Sequence, residues 1–96
     1  MVAYVIFVNE GIRDPAEMQT YAAAVPSTIQ GHPLTILALN GALETLEGDA
    51  PDSLVLVSFP TLAEAETWYR SPAYQEVAKH RLAGGKFRVF LKEGVA

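Results

Sequence analysis

The sequence predicts an α+β domain: one antiparallel four-stranded sheet with its helices packed on a single side. Three observations point there. Four short runs rich in β-branched and aromatic residues read as strands. Two longer segments carry apolar residues at helical spacing behind recognisable caps. The two halves of the chain also repeat one plan: an apolar strand, a capped helix and a further strand.

Val2 to Val8 is the first strand, and Asn9-Glu10-Gly11 ends it as a turn cluster. Asp14 suits an N-cap, Pro15 the first helical position, and Glu17 completes a capping-box-like pair. Behind them Met18, Tyr21, Ala22, Val25 and Ile29 form one apolar stripe. Pro26 lies inside that pattern, so a kink or an early end is expected there. Gly31 and Pro33 close the helix. Leu34 to Leu46 alternates as one long strand bent around Gly41. After the turn Gly48 to Asp52, Ser53 to Phe59 is the third strand. Thr61 and Glu64 repeat the capping logic for a second helix carrying Ala65, Trp68 and Tyr69. Ser71-Pro72 interrupts and restarts it. Tyr74, Val77, Ala78, Arg81 and Leu82 then continue on one face to Gly84-Gly85, and Phe87 to Leu91 is the fourth strand. Two interleaved split βαβ units of this kind give the ferredoxin-like order βαββαβ. The right-handed crossover rule leaves few alternatives.

The 96 residues, 10.4 kDa in mass, read as a single domain over 1–96. Half are hydrophobic and 19% are charged, which is too apolar for a disordered chain. Eleven acidic residues outnumber seven scattered basic ones, which excludes a basic nucleic-acid footprint. Without cysteine there is no disulfide, zinc-thiolate or thiol chemistry. The two histidines are far apart, and no His-Glu motif at helical spacing accompanies them, so no metal site is expected. Gly84-Gly85 ends a helix rather than cradling a phosphate, and no cofactor is implied. Val2 to Val8 is too short to span a membrane and has no basic leader or cleavage site. A soluble, cytoplasmic protein is expected, with no nucleic-acid or membrane partner.

The strands are apolar on both faces. Val5 and Phe7 oppose Tyr4, Ile6 and Val8, while Leu54 and Leu56 oppose Val55, Val57 and Phe59. Val89 and Leu91 oppose Phe90. Four strands at about 4.8 Å spacing are roughly 20 Å wide, and two helices cover only one such face. The other face is expected to pair with a second copy, giving an obligate homodimer through the sheet.

Several segments resemble one family. They are Tyr4-Val5-Ile6-Phe7, Gly41-Ala42-Leu43-Glu44-Thr45-Leu46-Glu47-Gly48 and Trp68-Tyr69-Arg70-Ser71-Pro72-Ala73-Tyr74-Gln75. With Arg81 and Arg88-Val89-Phe90-Leu91-Lys92-Glu93-Gly94, they resemble the DUF1330 family over nearly the whole chain. The Ser-Pro-x-Tyr block with its downstream Arg is the specific part. The resemblance implies a dimeric α+β barrel, the superfamily that also holds small antibiotic-type monooxygenases and muconolactone isomerases. It brings no established reaction.

Polar and aromatic candidates gather on the second helical segment. Trp68, Tyr69, Tyr74 and Arg81 are candidate ligand-binding residues, and Ser71 with Pro72 marks a helix start that favours an anion. His80 and Tyr69 are the candidates for moving a proton, His80 because its ordinary pKa of about 6.5 lies near working pH. Arg81 could clamp a carboxylate through its planar fork or pair structurally with Glu44. Asn40 and Glu44, on one face of the long strand, are placed as the floor of a pocket beneath the second helix. Each residue also has a plainer reading: Trp68 as core, Ser71-Pro72 as a cap, the tyrosines as rim hydroxyls, His80 as surface. His32 and Arg13 read as loop surface residues.

Two function classes follow. One is a homodimer binding a small aromatic or anionic metabolite between helices and sheet. The other is a small cofactor-free enzyme resembling monooxygenases or isomerases.

Overall fold

β1 (Ala3–Ile12) lies at the interior of the sheet, because its run of valines, isoleucine and phenylalanine has apolar partners on both sides. The computed structural model describes all 96 residues. α1 (Pro15–Ile29), β2 (Thr35–Ala38), β3 (Ser53–Phe59), α2 (Leu62–Tyr69), α3 (Pro72–Gly84) and β4 (Gly85–Glu93) follow. All strand pairs are antiparallel in the order β2-β3-β1-β4, so the α+β, ferredoxin-like architecture expected from the sequence is the one formed. No helix is long and apolar enough to cross a membrane.

Three local readings need correction. The first is the long strand Leu34 to Leu46, of which only Thr35–Ala38 pairs with β3. Asn40 and Gly41 take left-handed backbone (φ 58° and 88°), which turns the chain off the sheet edge, so residues 39–52 run irregularly. Asn-Gly is a turn dipeptide, and it outweighs the alternation of leucines around it. The second is Pro26, which neither breaks nor shortens α1. Val25 and Ile29 keep the apolar stripe facing inward past the proline, and the Ser27 and Thr28 hydroxyls donate to the carbonyls of Ala24 and Val25 (2.8 and 2.7 Å). The third is Asn9-Glu10-Gly11, which forms a bulge within β1 rather than a turn. Asn9 Oδ1 accepts from the Gly11 N–H (2.9 Å) and its Nδ2 donates to Ser53 Oγ (3.1 Å).

The caps form as read, with one difference. Asp14 accepts from the N–H groups of Ala16 and Glu17, and Thr61 from that of Glu64. The Glu17 carboxylate does not reach back to the N-cap. It turns instead to His80 on α3. Ser71 joins the two halves of the interrupted helix, accepting from Tyr74 N–H (3.2 Å) while donating to the Trp68 carbonyl (2.8 Å).

Ala3, Val5, Phe7, Val57 and Phe59 face the helices and are buried. Trp68 is the centre of this core, with ring centroids 4.3 Å from Tyr74, 5.6 Å from Phe59 and 6.4 Å from Phe7. The opposite face presents Ile6 between Leu56 and Phe90, with Tyr4, Val8 and Leu54 around them. Nothing in the chain covers it: the molecule measures 32 × 32 × 18 Å, the thickness of one sheet and one helix layer.

α3 passes into β4 with no loop, which brings Gly85 against the bulge. A Cβ there would stand 2.7 Å from the Gly11 carbonyl oxygen. Gly85→Ala is therefore expected to lower stability by about 1–3 kcal/mol. Urea unfolding followed by Trp68 fluorescence checks this, and an unchanged midpoint refutes the close approach.

Candidate functional site

The apolar stripe of α1 does not press onto the sheet. α1 packs closely along α3, where Gly84 lets Met18 and Glu17 approach to within about 3 Å of where a Cβ would stand. Tyr21 and Tyr74 join the two helices through hydroxyls 2.6 Å apart, and His80 Nδ1 meets Glu17 Oε2 at 2.7 Å. Held along α3, α1 stands clear of the β2–β3 half of the sheet. The space between is a cavity of about 320 Å³. Met18, Tyr21, Ala22, Val25 and Ile29 form one wall, Val55, Val57 and Ile36 the opposite one, and Trp68, Phe7, Phe87 and Arg81 the inner end.

Its polar groups are few and mostly engaged. Asn9 and Ser53 bond each other, and the Trp68 indole N–H donates to Thr28 Oγ1 at 3.2 Å. Burial pushes the Tyr74 phenol well above the ordinary tyrosine range; the neighbouring Tyr21 adds to the rise, and the Arg81 charge opposes it. Tyr21 is raised by burial as well, against the lowering effects of Tyr74 and Arg81. Both phenols are thus neutral hydrogen-bonding groups near neutral pH.

Arg81 is the exception. It is only 3% exposed, and its Nε is sealed from solvent with no acceptor. The ion pairs of the chain are Lys79–Glu76, His80–Glu17 and Arg88–Glu10, none involving Arg81. Its guanidinium lies 5.8 Å from the Phe7 ring centre and 5.4 Å from that of Phe87. A desolvated cation–π contact contributes about 2 kcal/mol, against a penalty of several kcal/mol for burying the charge. The rings hold the guanidinium in place without neutralising it.

The structure brings two of the six expected ligand-binding residues, Trp68 and Arg81, to this cavity. Tyr74 is fully buried behind them, within bonding reach of Tyr21. Tyr69 packs its ring against Trp68 and Tyr74 (centroids 6.4 and 5.3 Å) and lines a separate cleft of about 130 Å³ with residues of α2, β1 and β4. Asn40 and Glu44 lie exposed in the irregular segment after β2, so Glu44 is not the partner of Arg81. His80 is a partly exposed tie between helices, outside the cavity lining. Tyr21, Asn9 and Thr28 were not singled out by the sequence. The signal for Tyr21 and Thr28 was present, since each is a polar-tipped residue among the inward positions of α1.

The profile of one family, described as a domain of unknown function, DUF1330, matches residues 2–95. The chain belongs to the DUF1330 family. No curated protein matches the sequence. Among solved structures, this DUF1330 chain resembles a protein of unknown function from Rhodopseudomonas palustris (TM-score 0.76, 15% identity, 99% of this chain and 83% of that one). It also resembles a dimeric protein of unknown function and ferredoxin-like fold from Bacteroides fragilis (TM-score 0.63, 13% identity, 97% and 96% covered). A third is SnoaB, a cofactor-independent oxygenase from Streptomyces nogalater (TM-score 0.61, 17% identity, 99% and 93% covered). At these identities the likeness is one of fold.

The paired phenols have a pH signature. Both are raised in the fold above the ordinary value of 10.0, so the unfolded chain releases their protons first. Stability from this pair is fully present below that pH and falls as pH rises beyond it. Urea midpoints from about pH 8 to about pH 11 should drop in the alkaline range. Tyr74→Phe should reduce that slope while costing about 1–3 kcal/mol at neutral pH by leaving Tyr21 unpartnered. An identical slope in the variant refutes the shift.

Proposed function

We propose that this protein is a cytoplasmic homodimer, paired through the helix-free face of its sheet, that binds a small aromatic or anionic metabolite between α1 and the sheet. The observation that carries the binding reading is the cavity itself. Its walls come from the same apolar stripe that would otherwise fill the core, and they are left lining a space open to solvent on one side. At about 320 Å³ it is at the small end of ligand pockets, suited to a flat ring system against Trp68.

The accessible surface supports the dimer. It is 6169 Å², whereas a folded monomer of this mass exposes roughly 5,400 Å². The excess is of the order that each partner buries in a standard interface, about 800 Å². Ile6, Leu56 and Phe90 lie at the middle of the uncovered face, and Phe90 is 42% exposed. Burying such a patch contributes on the order of 10–15 kcal/mol per protomer before association costs. The ferredoxin-like neighbour from Bacteroides fragilis, described as dimeric, lends the same support.

A second reading is a cofactor-free monooxygenase- or isomerase-like enzyme, favoured by the likeness in fold to SnoaB. The proton-moving candidates named from the sequence do not favour it, since His80 and Tyr69 both lie outside the cavity lining. Oxygen uptake or double-bond migration with a bicyclic phenolic substrate, without added cofactor, would establish it.

Light scattering at micromolar concentration should give twice the chain mass of 10.4 kDa, and Ile6→Lys should give a folded monomer. A monomeric wild type overturns the sheet-face dimer. Ala22→Phe, which fills the cavity, should abolish any change of Trp68 fluorescence on adding bicyclic aromatics. If no such compound perturbs Trp68 in the wild type, the binding reading fails.

A further inference from the structure

Resting on the binding reading above, we propose that the cavity is built for a monoanion: a flat aromatic carboxylate whose head group meets Arg81 and whose rings lie between Trp68 and the α1 wall. The charge on the ligand follows from the charge on the protein. Arg81 is buried, lines the cavity and has no carboxylate partner in the chain, so the compensating anion has to come from outside. A cationic ligand would be repelled, and a neutral one would leave the guanidinium uncompensated.

The number of charges follows from the rest of the lining. Asn9 and Ser53 bond each other, the Tyr21 hydroxyl bonds Tyr74 and Arg81, and no lining residue other than Arg81 carries a positive charge. A second negative charge would have no counter-charge and would lie against apolar side chains. This favours a carboxylate over a phosphate dianion. The planar guanidinium fork suits the planar carboxylate as well. Phe7 and Phe87, on which the guanidinium rests, hold it ready, so little side-chain freedom is lost on binding. Val25 on one wall and Ile36 and Val57 on the other offer only apolar contact, so the ligand's acid is drawn to Arg81.

The test compares three compounds of one ring system by calorimetry and Trp68 fluorescence: 1-naphthoate, its neutral isostere 1-naphthamide, and 1-naphthyl phosphate. The wild-type protein should bind naphthoate at least about tenfold more tightly than either of the others. Arg81→Met should erase that preference while leaving naphthamide affinity within about twofold. Should naphthamide or the phosphate bind the wild type as tightly as naphthoate, the monoanion proposal is overturned and the cavity reading stands. If none of the three binds, both fall. Because the wild-type ranking decides by itself, a poorly folding Arg81→Met does not leave the outcome open.

Discussion

The packing of α1 against α3 is the constraint on which the site depends. Gly84 removes the side chain that would hold the two helices apart. The Tyr21–Tyr74 and Glu17–His80 contacts then fix their spacing at two further levels. A helix tied along its neighbour in this way is not free to settle onto the strands beneath it. Its apolar stripe, which on composition alone would complete a core, becomes the wall of a cavity. The same ties explain why Pro26 is tolerated, since α1 is held by its neighbours as well as by its own backbone hydrogen bonds.

Around this seam the chain divides its aromatic residues between two tasks. Trp68, Phe59 and Tyr74 make a dense cluster at the centre of the core. Phe7 and Phe87 border the cluster and support a guanidinium with no counter-ion. A buried cation of this kind is a liability to folding, and proteins retain such groups where something else gains from them. The monoanion proposal gives the charge a purpose, and the neighbouring neutral phenols, with Asn9 and Ser53, add polarity without a counter-charge.

The far side of the sheet follows a different logic. Its valines, leucines and isoleucine shield one another along the strands, yet no second layer lies on them. The exposed leucines after β2, with Leu46 at 85%, extend the apolar surface beyond the sheet edge. Both features are economical in a dimer and costly in a monomer.

Much of this was legible in the residues. Strand alternation, the Asp14, Thr61 and Ser71 caps and the inward stripe of α1 are local signals, and the elements they specify are formed, the second strand cut short to Thr35–Ala38. The surplus apolar face was also readable, because side-chain direction in a strand is fixed by its period of two. The misreadings were local as well: the turn at Asn40-Gly41, the helix that runs on through Pro26, the bulge at Asn9-Glu10-Gly11, and Glu17, which pairs with His80 rather than with its own helix cap. The position of the cavity was not a local matter. It depends on whether α1 rests on the sheet or on α3, and that balance is set by contacts more than 50 residues apart, such as Tyr21 with Tyr74. The sequence by itself determined the elements, their order and which side chains face inward, since backbone propensity and periodicity act between near neighbours. Only the tertiary structure decided that Arg81 is buried with phenol hydroxyls but no carboxylate beside it, because Glu44 is carried away by a turn and none of the chain's ion pairs involves Arg81.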